Sequence, residues 1–381
     1  MPQQITIFDI QENRQFGILG GGAKRSVRQL SHSFDEIISL ENLYLAWEEF
    51  IVGKRQKSDV REFCLALMDN ILTLHADLAS GQYKHGSYES FFINDPKRRH
   101  IHKAGVRDRL LHHAVYRLLY PFFDRTFIAD SFSCRNEKGT HKAINRFRSF
   151  AYKVSENHTR TCWVLKGDIR KFFASIDHRI LKNILIEYAP DEKILVLLSN
   201  IIDSYETEPS MAVGLPLGNL TSQLFANVYL NRFDQFVKHR LKAKYYIRYA
   251  DDFVILSENK KDLQELIKPL SDFLSSELKL ILHPNKIFIK TIGQGVDFLG
   301  WTLFPDYRTI RASTKRRAFK RIKKSSDLLS LQSYLGLLGH GNTYKVRQEL
   351  LNDYWLWSEK VDLNCPLLTA AKFWYPIRRY E

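Results

Sequence analysis

The sequence predicts an α+β fold, in which a small antiparallel sheet packs against helices. Two apolar and partly aromatic segments, 244–249 and 253–256, are separated only by a short turn that holds adjacent aspartates, which indicates a strand hairpin. Residues 40–80 and the segment that follows Val106 instead repeat their apolar residues at helical spacing. A sheet and several helices are therefore both expected.

The adjacent acids Asp251 and Asp252 are the most informative feature of the chain. Burying two carboxylates without partners costs several kcal/mol, so the pair is expected at an exposed edge or on cations. Asp168 ends another apolar segment, 163–167, which also has strand character. If the strands are neighbours, three carboxylates share one cleft, the usual ligand set for two magnesium ions in phosphoryl transfer. A solvated turn and a helix-capping acid are the alternatives.

The remaining elements follow in chain order. Residues 40–80 are expected to form packing helices, the basic segment 95–103 a hairpin, and Val106 the start of a longer helix. Near the C-terminal end, seven of the ten residues from 315 to 324 are Lys or Arg. Such a run is either a solvated helix face or a surface for a polyanion.

Composition agrees with a polyanionic partner. The chain holds 57 Lys and Arg against 42 Asp and Glu, a net charge of +15, although an ordinary basic cytosolic protein would also fit. No apolar run is long enough for a membrane span, and Met1–Asn13 does not resemble a secretory signal. The four cysteines are far apart and form no C-x-x-C pair, which fits a reducing cytoplasm without structural zinc: Cys64, Cys134, Cys162 and Cys365.

Several motifs, taken together, resemble those of reverse transcriptases. The segment from Asp168 to Phe173 is similar to the first palm motif, and Tyr249–Asp252 is similar to the Y-x-D-D box. Gly214–Asn227 lies where such enzymes carry the template and nucleotide contact motif. Leu282–Lys286 and Phe298–Trp301 are similar to two later palm motifs. The resemblance covers most of the chain and implies a right-hand polymerase fold with fingers, palm and helical thumb.

The resemblance also implies an organisation and an activity. It implies an N-terminal helical extension at 1–89, fingers at 90–165, a palm at 166–305, and a thumb with a C-terminal tail at 306–381. The implied activity is RNA-directed DNA polymerisation, with two Mg²⁺ ions as cofactors and deoxynucleoside triphosphates as substrates. The implied partners are a template RNA, an RNA–DNA hybrid and a small accessory protein, in the cytoplasm and away from membranes. No zinc-finger or endonuclease extension is expected after the thumb.

Site residues follow from the same resemblance. Asp168 and Asp251, with the main-chain carbonyl of Ile169, are expected to hold the metals, and Asp252 to support them. The nucleotide contacts implied are Lys97, Arg99, Phe173 as a steric gate under the sugar, Leu217, Gly218, Gln223 and Lys286. The nucleic-acid contacts implied are Arg107, Arg109, Arg135, Lys315, Arg316, Lys320 and Arg321. The alternatives are a solvated basic loop, a core phenylalanine at 173 and a solvated lysine at 286.

The middle motif points to one branch of the family. Leu217-Gly218 followed by Ser222-Gln223 resembles the form found in diversity-generating retroelements, where an aliphatic residue accompanies error-prone copying. An apolar contact distinguishes a correct from a wrong substrate by only about 1–3 kcal/mol. A buried hydrogen-bonding partner rejects a wrong substrate more strongly. The retron triplet Val-Thr-Gly is absent. The alternatives are a defence-associated or group-II-intron-like reverse transcriptase, ordinary fidelity at Leu217, and an RNA-binding scaffold without catalysis.

Overall fold

The computed structural model describes residues 28–94, 97–325 and 327–357, and it confirms the α+β class. The strands are β1 Tyr88–Ile93, β2 Arg99–Ala104, β3 Trp163–Asp168, β4 Tyr246–Tyr249, β5 Asp252–Ser257, β6 Phe288–Thr291, β7 Val296–Phe298, β8 Trp301–Leu303 and β9 Arg308–Ile310. The α-helices are Phe34–Ile38, Leu40–Ile51, Ser58–Leu65, Leu67–Ala79, Val106–Asp124, Thr140–Val154, His178–Tyr188, Glu192–Asp203, Leu220–Gln235, Lys260–Leu278, Ala312–Ser325, Leu328–Leu338 and Tyr344–Trp357. None of these described helices is both long and apolar enough to span a lipid bilayer.

The chain divides into two compact units between Lys290 and Thr291. The predicted boundary between palm and thumb, at 305/306, therefore falls inside the second unit, and the four-part division stays a prediction. Residues 1–27 of the predicted N-terminal extension lie outside the described residues, as do Cys365 and the tail beyond residue 357. Within the described residues, Cys64, Cys134 and Cys162 are free thiols.

The first unit is built around a four-stranded sheet of order β4-β5-β3-β6. Its central strand β5 carries the run Phe253–Leu256, and all four of these side chains are buried. Helix Leu220–Gln235 is buried on most of its surface, so its apolar residues do not form a single stripe. Gly167 has a specific role in the sheet, because a Cβ there would lie 2.3 Å from Cζ of Phe253. The ring of Phe253 can therefore lie across β3 only where that strand has no side chain.

The predicted basic hairpin is formed by β1 and β2, which pair antiparallel with Phe92 opposite His100. Asn219 joins this hairpin to the start of helix Leu220–Gln235. Its side-chain amide donates to the carbonyl of His102 at 3.0 Å and accepts from the amide of Ala104 at 3.4 Å. Asn219 is buried, so these bonds replace water for two main-chain groups of β2. The hairpin is thereby fixed relative to the segment that contains Leu217.

The second unit contains a three-stranded sheet of order β7-β8-β9 and the last three helices. β7 and β8 are joined by a two-residue turn, Leu299-Gly300, in which both residues have positive φ, 49° and 86°. This geometry is typical of the tight hairpin turns that glycine favours. Trp301, which follows the turn, is buried in the core of this unit.

Two adjacent histidines on helix Val106–Asp124 are held uncharged inside the first unit. His112 is buried, and its Nε2 lies 3.3 Å from Nε2 of His85. Burial, followed by the nearby His85, lowers the pKa of His112 to about 3. Burial, followed by Lys54, lowers the pKa of His113 to about 4. Both imidazoles are therefore neutral across the physiological range.

We expect the free energy of unfolding to decrease as the pH is lowered from 6.5 to 5. Both folded-state pKa values lie below the ordinary 6.5, so the unfolded chain binds protons in this range that the folded chain does not. Each histidine then costs about 2 kcal/mol of stability at pH 5. Urea denaturation at pH 7.5 and pH 5 measures the loss. His113→Phe should reduce it, whereas His239→Gln, at an exposed position, should not. Equal stability of the unmodified chain at both pH values would contradict the assignment.

Candidate active site

The Asp251-Asp252 pair lies at the tip of the hairpin formed by β4 and β5. Tyr249 is paired with Asp252, and Ala250 and Asp251 form the turn between them. Ala250 has a φ of 53°, in the left-handed region that residues with a side chain seldom adopt. The predicted arrangement of strand, turn and strand is confirmed, with Asp252 as the first residue of β5.

Asp168 joins this pair because β3 is the antiparallel neighbour of β5. The register places Asp168 directly opposite Asp252. In addition, the amide of Ile169 donates to the main-chain carbonyl of Asp251 at 3.2 Å, which links the end of β3 to the turn. The predicted convergence of the three acids, from two distant parts of the chain, is confirmed.

The neighbouring carboxylates raise the proton affinity of Asp251 and Asp252. Burial, followed by the charges of Asp252 and Asp168, raises the pKa of Asp251 to about 6. Burial also raises the pKa of Asp252, an effect that Lys166 opposes and Asp168 reinforces. Such a group of mutually repelling oxygens is stabilised by added positive charge.

Two lysines supply part of that charge. Nζ of Lys286 lies 2.8 Å from Oδ1 of Asp168, although its side chain is still 45% exposed, so its role toward the nucleotide stays a prediction. Nζ of Lys166 lies 3.5 Å from Oδ1 of Asp252, and its side chain is only 13% exposed. Lys166 is not among the site residues predicted from the sequence. The signal was its position two residues before Asp168, which places both side chains on one face of β3.

The donor atoms suit magnesium, which prefers carboxylate and carbonyl oxygens. Asp168, Asp251 and the carbonyl of Ile169 are all oxygen donors, and the repulsion among the acids is the kind that a divalent cation relieves. In the part of the chain that the structure describes, however, no group of three His, Cys, Asp or Glu side chains is arranged to hold a metal ion as it stands. The lysine contacts of Asp168 and Asp252 occupy carboxylate oxygens that a metal would need.

A buried arginine lies directly beneath the turn, and the sequence analysis did not identify it. The side chain of Arg248 is 1% exposed and forms an ion pair with the fully buried Asp234 at 2.7 Å. It also donates to the carbonyl of Ala250 at 3.2 Å and to the side chains of Asn227 and Ser131. The guanidinium therefore fixes the strained residue that immediately precedes Asp251.

The expected nucleotide contacts lie on two neighbouring segments of the first unit. Phe173 is half-buried and packs against the core, whereas Phe172 is buried in it, and the two rings meet edge-on with centroids 5.3 Å apart. Leu217 is half-buried, and its carbonyl accepts a hydrogen bond from the amide of His102 at 2.9 Å. Gly218 has a φ of 116°, and a Cβ there would lie 2.9 Å from Cγ2 of Ile101. The loop before helix Leu220–Gln235 thus packs closely against β2.

The other expected nucleotide contacts differ in exposure. Gln223 is half-buried on the first turns of helix Leu220–Gln235. Lys97 precedes β2 and Arg99 begins it, and both side chains are exposed. The exposed positions of these two cations agree with a role in binding an anionic ligand, and that role stays a prediction.

Three of the arginines expected to bind nucleic acid are engaged by acids of the chain itself. Arg107 pairs with Asp77, and Arg109 pairs with Asp59. The predicted nucleic-acid contact of Arg135 is not supported, because its side chain is only 5% exposed and pairs with Asp124 at 2.7 Å.

The same Arg135 guanidinium also donates to the carbonyls of Ile128, Ser131 and Asp124. The residue therefore stabilises the fold here, and a nucleic acid would have no access to it.

The basic run near the C-terminal end forms helix Ala312–Ser325 in the second unit. Ala318 and Ile322 are buried, whereas Arg316, Lys320 and Arg321 are exposed. Lys315 pairs with Glu349 at 2.6 Å. The helix is thus amphipathic, with a basic exposed face of the kind that binds a nucleic-acid backbone.

Comparison with known proteins agrees with these features. Residues 94–303, more than half of the chain, match the family described as reverse transcriptase (RNA-dependent DNA polymerase). YkfC of Escherichia coli (strain K12) is 26% identical over an alignment of 268 residues, and the match covers 60% of this chain and 70% of YkfC. The group II intron-encoded protein LtrA of Lactococcus lactis subsp. cremoris is 24% identical over an alignment of 353 residues, and the match covers 75% of this chain and 54% of LtrA.

Among solved structures, apo telomerase from Candida tropicalis, truncated from the C-terminal domain, is similar with a TM-score of 0.44 and 12% identity. The match covers 60% of this chain and 55% of that one. The chain thus spans about half of LtrA and of this telomerase chain. The family match over residues 94–303 shows that the chain belongs to the reverse transcriptase family.

Proposed function

We propose that this chain copies a dedicated template RNA into DNA at the site formed by Asp168, Asp251 and Asp252. The observation that supports this most strongly is the register that sets Asp168 opposite Asp252, with Asp251 in the adjoining turn. Membership of the reverse transcriptase family supplies the class of reaction, RNA-directed DNA polymerisation.

In this proposal Asp168, Asp251 and the carbonyl of Ile169 hold two Mg²⁺ ions, and Asp252 supports the site. Bound magnesium would make the primer 3′-hydroxyl more acidic and would neutralise charge on the departing pyrophosphate. Lys286, which contacts Asp168, adds a positive charge at the same place. The exposed Lys97 and Arg99 bind the triphosphate of the incoming nucleotide, and the half-buried Phe173 contacts its sugar.

We infer further that copying is error-prone, in the manner of a diversity-generating retroelement. Leu217 presents a half-buried apolar side chain beside Gly218. An apolar contact penalises a misplaced nucleotide far less than a lost buried hydrogen bond does. The template RNA and an accessory protein would then be supplied by the same element.

A second setting, a group-II-intron-like element, is favoured by the similarity to LtrA. The two settings share the chemistry and differ in fidelity and genetic surroundings. A near-repeat pair of template and variable sequences beside the coding region would favour the retroelement, whereas a flanking intron would favour the second setting.

Primer extension on an RNA template, with and without Mg²⁺, tests the proposal. We expect magnesium-dependent DNA synthesis, with misincorporation concentrated at template adenines. Leu217→Gln should lower the error frequency, because an amide adds a hydrogen-bonding partner where the native chain has none. RNA binding without any extension would favour the scaffold alternative, and uniform, low error in the unmodified enzyme would contradict the fidelity inference alone.

A further inference from the structure

One face of the hairpin formed by β1 and β2 carries a run of aromatic rings in contact, of which the outer pair is stacked and the inner pairs are tilted by 59° and 56°. The rings of Phe92 and His100 are 4.4 Å apart and nearly parallel, with an interplanar angle of 11°. The ring of His102 lies 4.2 Å from that of His100, and the ring of Tyr205 lies 4.6 Å from that of His102. We call Phe92, His100, His102 and Tyr205 the aromatic ladder.

The aromatic ladder is held by further protein contacts at its inner end and is exposed to solvent at its outer end. At the inner end Tyr205 contacts Tyr88 edge-on, and the hydroxyl of Tyr88 lies 2.7 Å from that of Ser204. At the outer end Phe92 is 51% exposed, which is unusual for a residue of this size. The guanidinium of Arg98 lies 4.2 Å above the Phe92 ring and ends the stack with a planar cation.

This face is distinct from the face expected to bind the triphosphate. Side chains alternate between the two faces of a strand, so Arg99 and Ile101 lie opposite to His100 and His102. Ile101 faces Gly218, which places the loop of the middle motif on that other side. The proposed nucleotide contacts therefore leave the aromatic ladder unused.

The chemistry of the ladder fits an unpaired nucleotide. Residues 88–104 contain four Lys and Arg against two Asp and Glu. Of these acids, Glu89 is already paired with Lys103 at 3.2 Å. Burial, followed by His100, lowers the pKa of His102, which keeps that ring uncharged and suited to stacking. Flat rings combined with nearby cations are how proteins bind single strands, whose bases have no other stacking partner.

We propose that the aromatic ladder is a stacking platform for an unpaired base of a single-stranded nucleic acid. The base extends the stack at its outer end, formed by Phe92 and Arg98, and the adjoining phosphate lies near the Arg98 guanidinium. Because the class of partner comes from the proposed polymerase function, this inference rests on it, although the residues involved are separate from the catalytic acids.

Binding of a short single-stranded RNA that contains one 2-aminopurine tests the platform, with the full chain and without magnesium. Phe92→Ala should weaken binding by about tenfold and reverse the fluorescence quenching that stacking causes. Phe92→Leu keeps apolar bulk but not a ring, and should behave in the same way, whereas Phe92→Trp should retain binding. The matched control is Phe91→Ala, since Phe91 is 41% exposed on the same strand but points to the opposite face.

Each outcome has a distinct meaning. Equal weakening by the Phe91 and Phe92 variants, or unchanged binding in both, would overturn the platform while leaving the polymerase proposal intact if the unmodified chain still extends a primer. An unmodified chain that neither binds single strands nor extends a primer would overturn the proposed function itself. Loss of a protein partner, with oligonucleotide binding unchanged in Phe92→Ala, would also overturn the platform.

Discussion

Asp251→Asn should abolish DNA synthesis and, at the same time, raise the free energy of unfolding. The catalytic loss is expected to be at least ~10³-fold, because the carboxylate is a proposed metal ligand and bound metal contributes several kcal/mol to phosphoryl transfer. The gain in stability follows from the pKa of Asp251, which burial and the neighbouring acids raise from 3.8 to about 6. A carboxylate with a raised pKa destabilises the folded state whenever it is ionised.

The stability change has a definite sign and a definite pH window. Above pH 6 the native Asp251 is charged in both states, and its charge costs the folded state about 1–3 kcal/mol, which the amide avoids. As the pH falls from about 6 to 3.8, the folded state takes up its proton first, so the advantage of the variant disappears. Urea denaturation of both proteins in the presence of a chelator measures this advantage at pH 7.5, where it should be large, and at pH 4.5, where it should be small.

The opposite directions of the two effects separate lost chemistry from misfolding. Asp272→Asn is the matched control, because Asp272 is an exposed acid paired with Lys268 on the surface of helix Lys260–Leu278. It should change neither activity nor stability appreciably. Primer extension retained by Asp251→Asn would contradict the assignment, and an inactive variant that is also less stable would indicate a structural role for the carboxylate.

Arg248→Met should produce the largest loss of stability of any substitution considered for this site. Removing the guanidinium leaves Asp234 as an unpaired, fully buried charge, and breaking such a pair costs about 3–5 kcal/mol. The same substitution at an exposed pair, Lys268→Met opposite Asp272, should cost less than about 0.5 kcal/mol. Urea denaturation of the two variants compares these costs directly.

Arg248→Lys separates the structural contribution of this arginine from its effect on the turn. The ammonium keeps a charge beside Asp234 but lacks the planar fork that also reaches the carbonyl of Ala250. We therefore expect a variant that folds with a smaller loss of stability, but in which the left-handed residue before Asp251 is no longer fixed.

The catalytic rate should then fall by about tenfold or more, in line with the sensitivity of phosphoryl transfer to positioning. Single-turnover extension at saturating nucleotide measures it. An Arg248→Lys enzyme with the rate of the unmodified protein would show that the contact with Ala250 does not position the acid.

Much of the site followed from short-range patterns. The hairpin of the Asp251-Asp252 pair could be predicted because β-forming residues flank a two-residue turn, and both signals lie within a dozen residues. The basic helix Ala312–Ser325 could be predicted for the same reason, since buried Ala318 and Ile322 recur at helical spacing among the cations. Arg135 shows the limit of this reasoning: its charge suggested a nucleic-acid contact, but only the fold reveals that Asp124 already neutralises it.

The sequence by itself therefore determined the reverse transcriptase motifs, the elements that hold them and the identity of the three acids. The tertiary structure alone decided what surrounds those acids. Lys286 contacts Asp168 although 118 residues separate them, and the buried Arg248 of β4 is paired beneath the turn with Asp234 of helix Leu220–Gln235. The physical reason is that strand, helix and turn preferences are set by neighbouring residues, whereas the charge and burial of a side chain depend on residues that only folding brings together.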